Sequence, residues 1–400
     1  MKFLHTSDWH LGKVLFEHSL IEDQKCFLNQ IMEELEKGKL ENDPYDALIV
    51  AGDIYDKAIP APEAVPLFSE FLREAHDRFP ELQMFFSSGN HDSPTRLSFA
   101  SSLLHIQNIH IVTEGKKCDE GILVGDEKKG TAAVVYQIPF LQQGSLFDSD
   151  GNVLRHQDEL LNEACERIRK AHEKFNDRKI PAVVSAHVFA GNSSLSGSER
   201  NFVGTAEQVD GKKFKEFDYA ALGHIHGKQN VSGENVCYSG SPLSYNFGEK
   251  SDKVMLSVKV SEKGIEKKEV PFVPLHKVTR IEDTYENFLG SKYDGNMEDY
   301  LEMICTDTIV HENPLGTLKE KFPNLLSFRV ARSASAGQNL ALAERKKAIE
   351  NIASGDYGKL FDLFMKDVYR NNPDEEGADV YDSEKKLFAE IAKEVEAGEE

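Results

Sequence analysis

Cysteine is scarce in this chain. Its five residues, Cys26, Cys118, Cys165, Cys237 and Cys305, are scattered, odd in number and form no C-x-x-C pair. That excludes a disulfide framework and a thiolate zinc or iron–sulfur site, and points to a reducing cytoplasm. Long apolar runs are missing too, so no segment reads as a membrane span. The opening Met1-Lys2-Phe3-Leu4-His5-Thr6 lacks the features of a secretory signal, and a cytoplasmic location is expected. No G-x-x-x-x-G-K-[ST] occurs, so a P-loop nucleotide site is excluded. Positive charge is short as well: 47 Lys and Arg stand against 68 Asp and Glu, a formal net charge of −21. A protein that grips nucleic acid by itself normally shows a basic surface. A nucleic-acid role here therefore requires bound cations, local basic patches or a basic partner. Acidity also simply keeps a protein soluble.

Hydrophobic residues make up 40% of the 400 and charged residues 29%, which suits a soluble globular protein of two or three domains. In the first half, short apolar runs at 3–4, 47–51, 84–86, 182–184 and 219–222 each end in polar or Gly-rich residues and read as buried strands. Between them lie helical spacings such as Cys26, Phe27, Ile31, Leu35 and Val65, Phe68, Phe71, Leu72. This alternation predicts an α/β layered domain over residues 1–274, with ligands bound where loops leave the carboxyl ends of strands. Residues 254–260 alternate as a half-buried strand, and 262–269 fit an exposed hairpin. Pro271 and Pro274 mark a boundary. Strands at 278–281, 300–306 and 325–332 and helices at 284–289 and 314–321 then predict a small α+β domain over 275–333. Residues 334–400 read as C-terminal helices, with an acidic tail of eleven acids against three lysines from 371 to 400.

Five short motifs follow the strand-like runs: Asp8-Trp9-His10, Gly52-Asp53-Ile54-Tyr55-Asp56, Gly89-Asn90-His91-Asp92, His187, and Gly223-His224-Ile225-His226. All carry hard or borderline metal donors and none a thiolate. Residues i and i+2 of an extended segment share a face, so Asp8 with His10, and His224 with His226, can enter one site together. The glycines before three of the groups permit sharp turns and close backbone approach. Asp53 offers a carboxylate that can bridge two cations, which about 3.5–4 Å apart clamp a phosphate and activate a water. An Asp-x-His or an isolated His187 means little alone; the ordered set of five carries the inference.

That set resembles the calcineurin-like metallophosphoesterases. His5-Thr6-Ser7-Asp8-Trp9-His10-Leu11-Gly12, Ala51-Gly52-Asp53-Ile54-Tyr55-Asp56, Ile138-Pro139-Phe140-Leu141, Leu222-Gly223-His224-Ile225-His226 and Tyr238-Ser239-Gly240-Ser241-Pro242 narrow the resemblance. They are similar to the nuclease subunits that work beside an SMC-like ATPase of the SbcC type. The similarity is specific over about residues 1–275 and looser beyond. It implies a layered phosphoesterase fold with a DNA-capping domain, and C-terminal helices that dock the ATPase. It also implies two manganese ions, one held by Asp8, His10, Asp53 and His226, the other by Asp53, Asn90, His187 and His224. His91 matches the catalytic histidine, which protonates the leaving oxygen or stabilises the transition state. Asp56 is placed to orient it, its carboxylate suited to the second ring nitrogen.

The implied activity is a manganese-dependent DNA nuclease: a 3′-to-5′ exonuclease on duplexes and an endonuclease on single strands or hairpins, serving DNA repair, replication and recombination. Two rivals share the fold: a small-substrate phosphodiesterase or phosphomonoesterase, and a catalytically inactive scaffold. The first suits the acidity but leaves the small domain and terminal helices without a role. The second should have lost ligands, and this chain keeps a full set. Arg200, in the Gly/Ser-rich stretch 190–205, and Lys212 and Lys213 are candidate DNA contacts, though a plain surface loop and a solvated turn explain them equally well. The helical stretches 62–78 and 95–105 carry Leu67, Phe68, Phe71, Leu97, Phe99 and Leu103, either facing the core or forming a patch. The resemblance favours a homodimer there, hence a heterotetramer with the partner. Phe361, Phe364, Phe388 and Ile391 are the expected docking residues of the terminal helices.

Overall fold

A computed structural model describes residues 1–191, 208–249, 252–307 and 313–331. The chain divides into two compact units, Met1–Val330 and Ala331–Glu400. The expected terminal helices, with Phe361, Phe364, Phe388 and Ile391, belong to the second and lie outside the described residues.

In chain order the first sheet begins with β1 (Lys2–Thr6), a small hairpin β2 (Val14–Leu15) and β3 (His18–Ser19), and α1 (Ile21–Leu40). Then come β4 (Ala47–Val50), α2 (Ala64–Arg78), β5 (Gln83–Ser87), the short α3 (Pro94–Leu97) and α4 (Ser101–His105), and β6 (Ile109–Val112). The second sheet takes β7 (Ile122–Val124), β8 (Ala133–Ile138), α5 (Gln157–Asn176), β9 (Ala182–His187), β10 (Tyr219–Gly223), β11 (Gln229–Asn230) and β12 (Val236–Tyr238). β13 (Val254–Ser261), the half-buried strand that the alternating pattern predicts, and β14 (Gly264–Pro271), which occupies most of the stretch expected as an exposed hairpin, return to the first sheet as an antiparallel pair. The strand orders are β14-β13-β1-β4-β5-β6 and β11-β12-β10-β9-β8-β7.

The central strands of both sheets run parallel. Covered on both faces, they need apolar side chains at every position, which is why their sequences are continuous runs. In β1, Phe3 lies between the sheets with Ile49, Phe85, Val183 and Ala221. Its neighbour Leu4 lies on the other face, with Phe27 and Ile31 of α1 and Phe68 and Phe71 of α2. On the outer face of the second sheet, Val134, Val184 and Leu222 pack on Leu160, Ala164 and Ile168 of α5. The result is a helix–sheet–sheet–helix sandwich. The expected continuous helix over 95–105 is instead two short pieces. Ala100, at φ 58°, takes the left-handed conformation and breaks the turn. Phe68, Phe71 and Leu97 are buried and Leu67 half-buried, whereas Phe99 and Leu103 remain 82% and 68% exposed.

The small domain has three parallel strands, β15 (Val278–Asp283), β16 (Tyr300–Cys305) and β17 (Leu325–Val330), with α6 (Tyr285–Leu289) and α7 (Pro314–Lys321) in the connections. It has its own core, in which Phe288, Met303, Leu318 and Phe322 are fully buried. It meets the sandwich through both apolar and polar contacts: Tyr300, Val278 and Leu326 pack on the core that holds Phe27, and buried Asp23 on α1 accepts hydrogen bonds from the Tyr300 hydroxyl at 2.7 Å and from His276 Nδ1 at 3.1 Å.

Candidate metal centre

The five motifs lie at the carboxyl ends of β1, β4, β5, β9 and β10, three from one sheet and two from the other; His187 is the last residue of β9 and Gly223 the last of β10. The first two loops are tied together: the Asp8 amide donates to the Gly52 carbonyl and the His10 amide to the Asp53 carbonyl, both at 3.0 Å. Asp8, His10, Asp53 and His224 all have positive φ, at 54°, 45°, 51° and 104°. Left-handed backbone is unfavourable for residues with a Cβ and is retained at sites where function over-determines it. Asp8 and His10 thus reach one place through tight turns, not through the extended backbone that their spacing suggested.

The glycines permit the approach of the two sheets' loops. A Cβ on Gly223 would fall 1.7 Å from the Ala51 carbonyl oxygen. One on Gly52, itself at φ 89°, would fall 2.1 Å from His187 Nδ1. Gly52→Ala therefore carries a backbone cost of about 1–2 kcal/mol and also displaces His187. Lowered thermal stability together with weakened metal uptake is the expected result; an unchanged melting temperature and metal content would contradict it.

The donors form two groups that share Asp53. In the first, His10 Nε2 lies 3.2 Å from His226 Nε2 and 3.6 Å from Asp53 Oδ2, and Asp8 joins both histidines. In the second, Asn90 Oδ1 lies 3.0 Å from both His187 Nε2 and His224 Nδ1, and His187 Nε2 lies 3.5 Å from Asp53 Oδ2. Separations of this size are the edges of a shell whose metal–ligand bonds are roughly 2.0–2.3 Å. Facing nitrogen lone pairs need a proton or a cation between them, and the surroundings disfavour the proton. Burial lowers the His10 pKa, and burial with His187 beside it lowers that of His224 to about 3. Burial alone would raise the Asp53 carboxyl, but His187, His10 and His91 outweigh it and keep the group well below the usual range. His10 Nδ1 is buried with no hydrogen-bond partner among the described residues, 3.6 Å from Asp56 Oδ1. Imidazoles, an ionised shared carboxylate and a neutral amide oxygen are the donor set of a hard or borderline divalent cation.

Second contacts fix the imidazole tautomers. His187 Nδ1–H donates to the Ala51 carbonyl at 2.8 Å, which leaves Nε2 as the lone-pair nitrogen. His226 Nδ1 meets Glu249 Oε1 at 3.1 Å. Glu249 is in turn held by Lys253 Nζ at 2.6 Å and Asn246 Nδ2 at 2.8 Å. Sequence reasoning missed Glu249 and Lys253, which follow His226 by more than twenty residues and belong to no motif. It placed Asp92 in a motif but gave it no role. Buried Asp92 staples two loops, accepting from the amides of Ile54 at 3.0 Å and of Tyr55 and Gly89 at 2.9 Å.

His91 stands beside both groups. Its amide donates to Asp53 Oδ1 at 2.9 Å, and its ring lies 4.7 Å edge-on from that of His10. One expectation needs correction here. The contact at His91 Nδ1 is with the main-chain carbonyl of Asp56, at 2.8 Å, not with the carboxylate proposed for it. The Asp56 carboxylate pairs with Lys13 at 2.8 Å. Burial would raise its pKa, but His10 and Lys13 hold it at about 2.

A family model for calcineurin-like phosphoesterases matches residues 1–228. A Staphylococcus saprophyticus protein, named as the D component of nuclease SbcCD, is 30% identical over 332 residues, 82% of this chain and 84% of the relative. The protein of the same name from Staphylococcus epidermidis is 29% identical over 331 residues, with the same coverage. The chain belongs to the calcineurin-like phosphoesterase family, in the branch of the SbcD nucleases. It is a metal-dependent phosphodiester hydrolase.

The candidate DNA contacts of this family member do not gather as the candidate metal donors do. Arg200 lies outside the described residues. Lys212 is exposed, but Lys213 is engaged, its ammonium on the carboxylate of Asp158 at 2.5 Å and on its carbonyl at 2.9 Å. Both lysines precede the amino end of β10, whereas His224 and His226 follow its carboxyl end. Among the described residues, no helix is long and apolar enough to cross a membrane.

Proposed function

We propose that this chain is a manganese-dependent DNA nuclease of the cytoplasm. It acts as a 3′-to-5′ exonuclease on duplexes and as an endonuclease on single strands or hairpins, with an SbcC-type ATPase in repair, replication and recombination. The observation that carries this reading is the sharing of Asp53 by two donor groups whose atoms lie 3.0–3.6 Å apart. Asp8, His10, Asp53 and His226 are assigned to one cation, and Asp53, Asn90, His187 and His224 to the other. The bound pair supplies a clamp on the phosphate and an activated water. His91 handles the proton: the Asp56 carbonyl requires hydrogen on Nδ1, so Nε2 is the nitrogen that exchanges a proton with the leaving oxygen.

The relatives' name makes each one a subunit of a nuclease, which supports a partner subunit here; that it is an ATPase of the SbcC type rests on the family resemblance. Phe99, Leu103 and Ile106, all more than 65% exposed on one short stretch, support a homodimer through this face and so a heterotetramer with the ATPase. A monomeric mass at micromolar concentration would count against the dimer.

The deciding assay incubates the chain, with manganese, on labelled duplex DNA, a DNA hairpin, a small phosphodiester and a phosphomonoester. Shortening of the duplex from its 3′ ends and opening of the hairpin are expected. Turnover of the small esters with intact DNA would overturn the nuclease reading in favour of a small-substrate phosphoesterase.

A further inference from the structure

The hairpin β2–β3 has a conformation that its sequence should resist. Val14 pairs with Ser19 and Leu15 with His18, leaving a two-residue loop, Phe16-Glu17. Both loop residues have positive φ, 47° and 68°. Such a loop ordinarily carries Asn-Gly, and a bulky side chain in the left-handed region is a true outlier. Strain of this kind collects at ligand-binding positions. The side chain it presents is aromatic and 53% exposed.

That ring is connected to the candidate metal donors through the segment 245–249. Phe16 packs on Phe247, with centroids 5.4 Å apart, and Phe247 is itself buried. Two residues before Phe247, Tyr245 packs edge-on against His10 at 5.1 Å and His226 at 5.5 Å. Two residues after it, Glu249 contacts His226. On the hairpin side, Lys13 pairs with Asp56 and lies 6.0 Å above the Tyr245 ring. The far strand is anchored by His18, whose Nε2 meets the Tyr300 hydroxyl of the small domain at 3.0 Å. Phe16 is thus backed by the buried ring of Phe247, on a hairpin tied to the donor loops on one side and to the small domain on the other, and it keeps area open to solvent. An aromatic ring held in this way stacks well on a planar partner, and in a nucleic acid the planar groups next to the phosphodiester are the bases.

We propose that Phe16 is a specificity-determining residue that stacks a nucleobase of the strand bound at the metal centre. This rests on the nucleic-acid reading above. The stack makes cleavage depend on a base at one position relative to the scissile phosphate, whatever the identity of that base.

The test measures kcat and KM with manganese on an oligodeoxynucleotide and on versions with one abasic nucleotide moved through the first positions from the cleaved end. Methyl p-nitrophenyl phosphate serves as a base-free diester. The wild type should lose roughly 5- to 150-fold in kcat/KM at one abasic position, the range that loss of a single base–aromatic stack produces. Phe16→Ala should lose that factor on the intact oligonucleotide and nothing further on the abasic one. Phe16→Trp should restore discrimination, and hydrolysis of the small diester should be unchanged by either substitution. A Phe16→Ala enzyme that discriminates as the wild type does would overturn the proposal while leaving the nuclease reading intact. A wild type that hydrolyses the small diester and leaves every oligonucleotide whole would overturn the nuclease reading, and the stacking role with it.

Discussion

Asp53→Asn is expected to abolish hydrolysis, with a loss of roughly 10³-fold or more, because the shared ligand helps to place both charges that stabilise the transition state. Asparagine is the informative replacement. It tolerates the left-handed backbone that Asp53 adopts at φ 51° better than other residues with a Cβ. It also keeps an oxygen to accept the His91 amide, at 2.9 Å in the parent. What it removes is charge and one bridging donor. Elemental analysis should find manganese falling well below two ions per chain while the melting profile shows a folded protein. Retention of both ions would show that Asp53 does not bridge.

His91→Asn should give the complementary result. Loss of a positioned acid slows turnover by about 10²–10⁴-fold, yet the two donor groups do not include His91, so manganese content and DNA affinity should persist. Single-turnover cleavage read beside metal content separates the cases. Parallel loss of metal and rate would make His91 a ligand or a prop instead of a proton donor. Asp56→Asn sharpens the comparison. The hydrogen bond that sets the His91 tautomer uses the Asp56 main-chain carbonyl, which a side-chain change leaves in place. Its rate should therefore fall less than that of His91→Asn, through the lost pairing with Lys13 and the altered neighbour of His10.

The central strands were legible because a strand covered on both faces must be apolar at each position, and the runs at 47–51 and 219–222 stand out for that reason. The short pairings did not stand out: β7, β11 and β12 have only two or three residues each, too few for a period. The break in the helical stretch after Phe99 had no signal either, since the residue that takes the left-handed turn, Ala100, is a helix former. Candidate donors in local motifs could be found by residue type and order, although the left-handed turns that bring Asp8 and His10 together could not. Glu249 could not, because only the return of the chain to the first sheet brings it to His226. Asp56 shows a further limit: the residue was chosen from its side-chain chemistry, and the contact it makes with His91 is through an atom that every residue possesses.

The donor loops come from both halves of the sandwich: Asp8, His10, Asp53 and Asn90 from one sheet, His187, His224 and His226 from the other. Any cation held by Asp53 together with His187 or His226 ties those halves across their edge. A chain without a disulfide framework thereby gains a removable cross-link, and chelation or metal scarcity acts on its mechanical integrity as well as on its chemistry.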